Sequence, residues 1–118
     1  LLVAAATVRE LEIDGRSRRV TNTPGESNGA YLSWNGDRLG LVWSDKTSGQ
    51  HEVHFASFDA NGMMREPERR ITNTSAWSLV RAIRPDGAGF AISWMEYVPP
   101  SVQVHEGTSQ VFFEKIPE

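Results

Sequence analysis

Short apolar runs, each closed by a turn signal, recur along this chain. Leu39-Gly40-Leu41-Val42-Trp43 and Phe90-Ala91-Ile92-Ser93-Trp94 are β-rich and have the length of buried strands. Asn35-Gly36 precedes the first run and Asp86-Gly87 the second, and such pairs supply the positive φ of a tight hairpin. Upstream of each turn lies another apolar segment, Ala30–Trp34 or Leu79–Ile83, so each unit opens as strand, turn, strand. A third strand, Glu52–Phe58, alternates over its first half and ends in the turn residues Asp59-Ala60-Asn61-Gly62. Gln110–Ile116 is its later counterpart, and Ala6–Leu11, ending in Asp14-Gly15, its earlier one. A fourth strand is predicted at Arg18–Thr21 and again at Arg69–Thr72. Pro, Gly, Asn and Asp interrupt the chain too often for a helical face to develop.

The pattern is a duplication. Arg19-Val20-Thr21-Asn22-Thr23 returns as Arg70-Ile71-Thr72-Asn73-Thr74, and Trp43 returns as Trp94, both pairs 51 positions apart. The third strand returns at a spacing of 58, from Val53 to Val111, which places seven extra residues between Glu96 and Gln110. The division is then residues 1–23 as trailing strands of a preceding unit, 24–74 as a complete four-stranded unit, and 75–118 as a second, incomplete one. Tandem antiparallel units of about 40–50 residues are β-propeller blades, so the expected fold is all-β with about two blades per chain. Hairpin turns disfavour a solenoid, whereas a β-sandwich also suits short, evenly spaced strands.

The unit runs Arg-Val/Ile-Thr, a loop, an apolar strand, Asn/Asp-Gly, then a strand ending Trp43-Ser44-Asp45. A Gly loop and Glu52-Val53-His54-Phe55-Ala56-Ser57-Phe58-Asp59-Ala60-Asn61-Gly62 complete it. From about Thr7 to Ile116 it resembles the tandem blades of bacterial extracellular propeller proteins, the broad group with TolB-like and sialidase-like repeats. The resemblance implies a secreted or cell-surface bacterial protein. It says little about activity, because propellers serve as binding scaffolds, complex partners and enzymes. Asp45-Lys46-Thr47-Ser48-Gly49 is similar to the acidic turn of sialidase blades, but the Ser-x-Asp-x-Gly-x-Thr-Trp order is absent. Sialidase catalysis also draws an arginine triad and a Tyr/Glu pair from several blades, more than this chain offers.

Blade number matters physically. A closed propeller has about four to eight blades. Two alone would leave apolar faces in water, so the chain is expected to be a homo-oligomer or part of a longer propeller.

Composition narrows the classes. In 118 residues, 39% are hydrophobic and 23% charged, which fits a folded domain rather than a disordered or membrane-spanning chain. A net charge of −3 argues against nucleic acid. Arg16, Arg18, Arg19 and Arg65, Arg69, Arg70 form two basic clusters, read as solvated loops that recur with the repeat. Without cysteine there is no disulfide, thiolate zinc site or Cys nucleophile. The first residue is Leu1 rather than Met, which suggests a processed product or a piece of something longer. Leu1–Ala6 reads as an apolar strand, with the tail of a signal peptide as the alternative.

Trp43 and Trp94 could be sugar-stacking platforms, but repetition at one strand position favours packing between blades. Asp45 and Glu96 form a repeated acidic position, read as turn carboxylates accepting backbone N–H groups. His51 and His54, placed together on one strand, would point to opposite faces and share no metal. Glu52 and His54 share a face, as a cross-strand polar pair or an acid–base couple, and with no nucleophile or third orienting group marked the pair is read as a surface feature. No Gly-x-Ser-x-Gly elbow or phosphate loop is present. No catalytic residue, metal site or cofactor is assigned.

The unrepeated residues carry the functional expectation. The insertion Tyr97–Gly107 lengthens one strand-to-strand loop, and Trp77 stands where the first copy has Glu26. Loops that differ between repeats tend to hold specific function. Trp77, Tyr97, His105 and Glu106 are therefore the candidate ligand-binding residues, while a drifted hairpin is the plainer reading of the insertion. The expected function is a noncatalytic, lectin-like binding module for a carbohydrate or protein, with a fragment of a glycosidase-like hydrolase or a purely structural assembly module as alternatives.

Overall fold

The structure, a computed structural model, describes residues 17–100 and 107–117. The expected strand at Ala6–Leu11, the reading of Leu1–Ala6, Arg16, and the candidates His105 and Glu106 lie outside them.

Seven strands form two antiparallel meanders, with no helix among the described residues. The first sheet pairs β1 (Ser27–Trp34), β2 (Leu39–Asp45), β3 (Glu52–Phe58) and β4 (Met64–Arg70) in chain order. The second pairs β5 (Trp77–Asp86), β6 (Gly89–Val98) and β7 (Thr108–Ile116). Each sheet is continuous in sequence, as the duplicated pattern requires.

The local chemistry of the hairpins is visible. Asn35 accepts the backbone N–H groups of Asp37 and Arg38 on Oδ1, each at 2.9 Å, and Gly36 takes a φ of 100°. In the second copy Asp86 faces Gly89 across the turn, and Gly87 sits at a φ of 60°. These two turns touch: the Asn35 amide donates to the Ala88 carbonyl at 2.9 Å. Both units also break register at the same repeat position, between Asn28 and Tyr31 and between Val80 and Ala82, opposite Trp43 and beside Trp94. A bulge sharpens local twist and lets the long first strand follow its neighbour.

The sheets stack face to face. Val42, Val53 and Phe55 of the first meet Val80, Ile83, Phe90, Ile92, Trp94 and Ile116 of the second in one buried cluster, with Ile71 against it. Each large side chain buried there contributes about 1.5–3 kcal/mol of transfer free energy. Gly40 permits the close approach, since a Cβ on it would lie 2.8 Å from the Phe90 ring. A smaller cluster of Trp43, Ala56 and Phe58, with Val20, Leu39 and Leu41, occupies the opposite face of the first sheet.

Arg38 is buried at the turn end. It donates to Glu66 at 2.6 Å and Ser57 at 3.1 Å, and its guanidinium lies 5.5 Å from the Phe90 ring centroid. A charge is tolerated there because the carboxylate and the ring compensate its lost hydration.

Several expectations are corrected. The fourth strand is Met64–Arg70 rather than Arg69–Thr72, and Arg18–Thr21 is not in a strand. Arg65, Arg69 and Arg70 therefore belong to an edge strand and not to a loop. His51 lies just before β3, so only His54 is on the strand. Glu52 is buried, which removes it from the surface. What is defined is an all-β chain of two stacked antiparallel sheets.

Candidate functional site

The connections β2–β3, β4–β5 and β6–β7 all emerge at the end of the stack opposite the hairpin turns. Two buried carboxylates organise this end. Asp45, the last residue of β2, accepts the hydroxyls of Thr23 and Ser27 on Oδ2, both at 2.9 Å, and the Thr47 N–H on Oδ1 at 2.8 Å. Burial alone would push its carboxyl upward. The hydrogen bonds from Thr47, Thr23 and Ser27 outweigh that and hold it at about 2.

Glu52 faces Asp45 across the strand pair. Its Oε1 accepts the Thr72 hydroxyl at 2.6 Å, while Oε2 accepts Arg70 and Gln50, each at 3.1 Å. Thr72 in turn accepts the Val53 N–H at 2.8 Å, and Gln50 donates to the carbonyls of Thr74 and Ala76. The β2–β3 and β4–β5 connections are thereby tied together. Ser78 N–H donates to the His51 carbonyl at 2.8 Å, and Val80 N–H to the Ser44 hydroxyl at 3.2 Å, so the sheets are hydrogen-bonded to each other here.

On this frame stands an aromatic row. The His51 ring meets Trp77 edge-on with centroids 5.3 Å apart, and Trp77 meets Tyr97 edge-on at 6.2 Å. Trp77 and Tyr97 are register partners on β5 and β6, and Ser109 of β7 pairs with Tyr97 on its other side. Both rings are partly exposed, whereas His51 is buried and its Nδ1 has no hydrogen-bond partner among the described residues. Gly107 lies against Tyr97, since a Cβ on it would come within 2.7 Å of the phenol oxygen. The structure thus brings together Trp77 and Tyr97 of the sequence candidates. It adds His51, which sequence reasoning weighed only as a metal ligand.

Trp43 and Trp94 differ in surroundings. Trp94 belongs to the cluster between the sheets, stacks on Phe112 at 6.0 Å and donates Nε1–H to Glu96 at 3.2 Å. Trp43 is buried on the opposite face of the first sheet and stacks on His54 at 5.9 Å, and its Nε1 has no partner among the described residues. The neighbouring acidic residues, Asp45 and the longer Glu96, are also engaged differently. The shorter carboxylate is held by Thr23, Ser27 and Thr47, while the longer one reaches back to its tryptophan. His54 pairs with Glu68 at 2.7 Å.

Among the described residues no group of three His, Cys, Asp or Glu is arranged to hold a metal ion. Both buried carboxylates are saturated by hydrogen bonds that fix loops. Two hollows, of about 320 and about 400 Å³, lie on the outer face of the first sheet on either side of Val20, away from Trp77 and Tyr97. No helix among the described residues is long and apolar enough to cross a membrane.

No family model matches the chain, and neither a curated protein nor a solved structure is significantly similar to it.

Proposed function

We propose that this chain is a noncatalytic, blade-like binding module that recognises a carbohydrate at the loop end of its stacked sheets. One observation carries the reading: Trp77 and Tyr97, the two aromatic residues singled out because the first copy does not repeat them, stand side by side at 6.2 Å and partly exposed. Partly exposed aromatic faces offer a sugar ring an apolar platform, and side chains with few rotors lose little entropy on binding. The buried Asp45 and Glu52 hydrogen bonds support this by fixing the loops beneath the rings, so little ordering remains to be done when a ligand arrives. The bacterial, secreted or cell-surface setting belongs to the same proposal and rests on the blade resemblance.

A glycan array followed by tryptophan-fluorescence titration tests it. Wild-type protein should bind at least one glycan class. Trp77→Ala should weaken that binding about tenfold or more, in the range of a buried aromatic anchor. His105→Ala and Glu106→Ala report whether the rest of the insertion takes part. A blank array for the wild type discards the carbohydrate reading.

A further inference from the structure

Internal duplication gives each sheet two distinguishable faces, and among the described residues only one face of each meets the other sheet. In the first sheet Gly40, Val42, Val53 and Phe55 point to the second sheet, while Leu32, Leu39, Leu41 and Phe58 point away. In the second sheet the relation is reversed. The repeat counterparts of the outward set, Ile83, Phe90, Ile92 and Ile116, form the inner face. Those of the inward set, Ala91, Ser93, Val111 and Phe113, point outward. The seam inside the chain therefore joins unlike faces.

The two outer faces carry the repeat counterparts of the residues that form that seam. Leu32 is 61% exposed, yet its counterpart Ile83 is 2% exposed. Val111 and Phe113 are 81% and 67% exposed, while their counterparts Val53 and Phe55 are 0% exposed. Leaving such large apolar side chains in water forgoes the gain that their counterparts obtain on burial. Val20 extends the correspondence: it packs on the outer cluster of the first sheet as its counterpart Ile71 packs on the internal seam. The hollows beside Val20 lie on the surface that the missing sheet would cover.

We infer that a second copy of this chain docks head to tail, the outer face of its β5–β7 sheet covering the outer face of the β1–β4 sheet of the first. The occupant is another copy because the required surface is the one the chain itself presents, in the register its own seam already displays. Joining unlike faces makes the contact heterologous, so the copies close into a ring or continue as a stack. The inference rests on the blade-like stacking in the proposed function and is independent of its ligand.

Analytical ultracentrifugation and native mass spectrometry without glycan provide the test. At about 100 µM, where an interface of standard size is well populated, the wild type should exceed monomer mass. Leu32→Asp and Phe113→Asp should each weaken association about 100-fold, as loss of an anchor at an interface centre does. Mixed in equal amounts, these variants should form a one-to-one pair that grows no further, because each keeps one good face. Leu32→Asn and Val111→Lys serve as second variants, with circular dichroism confirming that the sheets persist. A monomeric wild type overturns the inference. So does a like-to-like dimer that survives Leu32→Asp, or a mixture that fails to pair. Glycan binding by the monomeric variants would show that the ligand reading stands even where the docking one falls.

Discussion

Asp45→Asn separates the charge of the loop-end carboxylate from its shape. Asn keeps one acceptor oxygen but replaces the other with a donor, so it cannot accept from Thr23, Ser27 and Thr47 together as Asp45 does. The wild-type carboxyl ionises at about 2 in place of its ordinary 3.8. Each pH unit of such a displacement corresponds to about 1.4 kcal/mol, which bounds the contribution at about 2.5 kcal/mol, and solvent screening at the loop end lowers it toward ~1. A carboxylate whose folded value is depressed stabilises the fold above its unfolded value, and that stability is lost as pH falls through the folded value. The contribution is thus complete at pH 5–7, declines between about pH 4 and 2, and is nearly gone at the lower limit. Urea unfolding of both proteins, followed by tryptophan emission across this range, measures it. The variant should be less stable by about 1–2 kcal/mol at neutral pH, and the curves should converge toward pH 2. Other carboxylates titrate in both proteins and cancel in the difference. A difference that stays constant with pH would refute the reasoning, for the loss would then be one of shape.

Other perturbations probe the seam and the buried charge. Gly40→Ala forces a methyl against the buried Phe90 ring and should lower stability by about 1–3 kcal/mol in the same urea assay. Phe90→Leu should relieve part of that, giving a positive coupling in a double-mutant cycle. Phe90→Ala alone should cost about 3–5 kcal/mol through the cavity it leaves between the sheets. Glu66→Ala should destabilise by about 3 kcal/mol, because it strands the buried Arg38 guanidinium, whereas Arg38→Met should be much milder, because the half-exposed Glu66 can rehydrate. Equal losses in these two variants would mean that burial of the arginine is not what the pair compensates.

How much could be read in advance depended on whether a residue's role is local. The duplication was plain in the letters because Trp43/Trp94 and Asn35-Gly36/Asp86-Gly87 answer to strand packing and turn geometry, which short sequences encode. The strands that bury side chains, β2, β3 and β6, carried their own apolar signal. β4 did not. As an edge strand with mostly exposed charged residues it has no apolar period, and Pro67 in its middle reads as a breaker although an edge accommodates it. The predicted fourth strand consequently drifted onto the more apolar Arg69–Thr72. Arg38 and Glu52 were illegible for another reason. A charged letter implies solvent unless its partners are known, and Glu66, Phe90, Thr72 and Arg70 come from other strands and connections.

The candidate site shows the same division. Trp77 and Tyr97 could be named because Trp77 departs from its repeat counterpart Glu26 and Tyr97 opens the insertion that the first copy lacks, and both departures are visible without coordinates. That they are register partners follows only from the pairing of β5 with β6, which includes a bulge that counting along the chain cannot place. His51 gave no such sign, since its meaning comes from stacking one sheet on the next. One signal for the polar frame is present in the sequence. Thr23, Ser27 and Asp45 recur at the same spacing as Thr74, Ser78 and Glu96. In the first unit Thr23 and Ser27 both donate to Asp45, while in the second the hydroxyls of Thr74 and Ser78 lie 3.5 Å apart and Glu96 turns to Trp94. The polar frame of the loop end was therefore duplicated and then diverged, and the divergence lies in the unit that bears Trp77 and Tyr97. Under the proposed function, the unit that bears Trp77 and Tyr97 contacts the ligand, and the hydrogen-bonded frame around Asp45 in the other unit braces it.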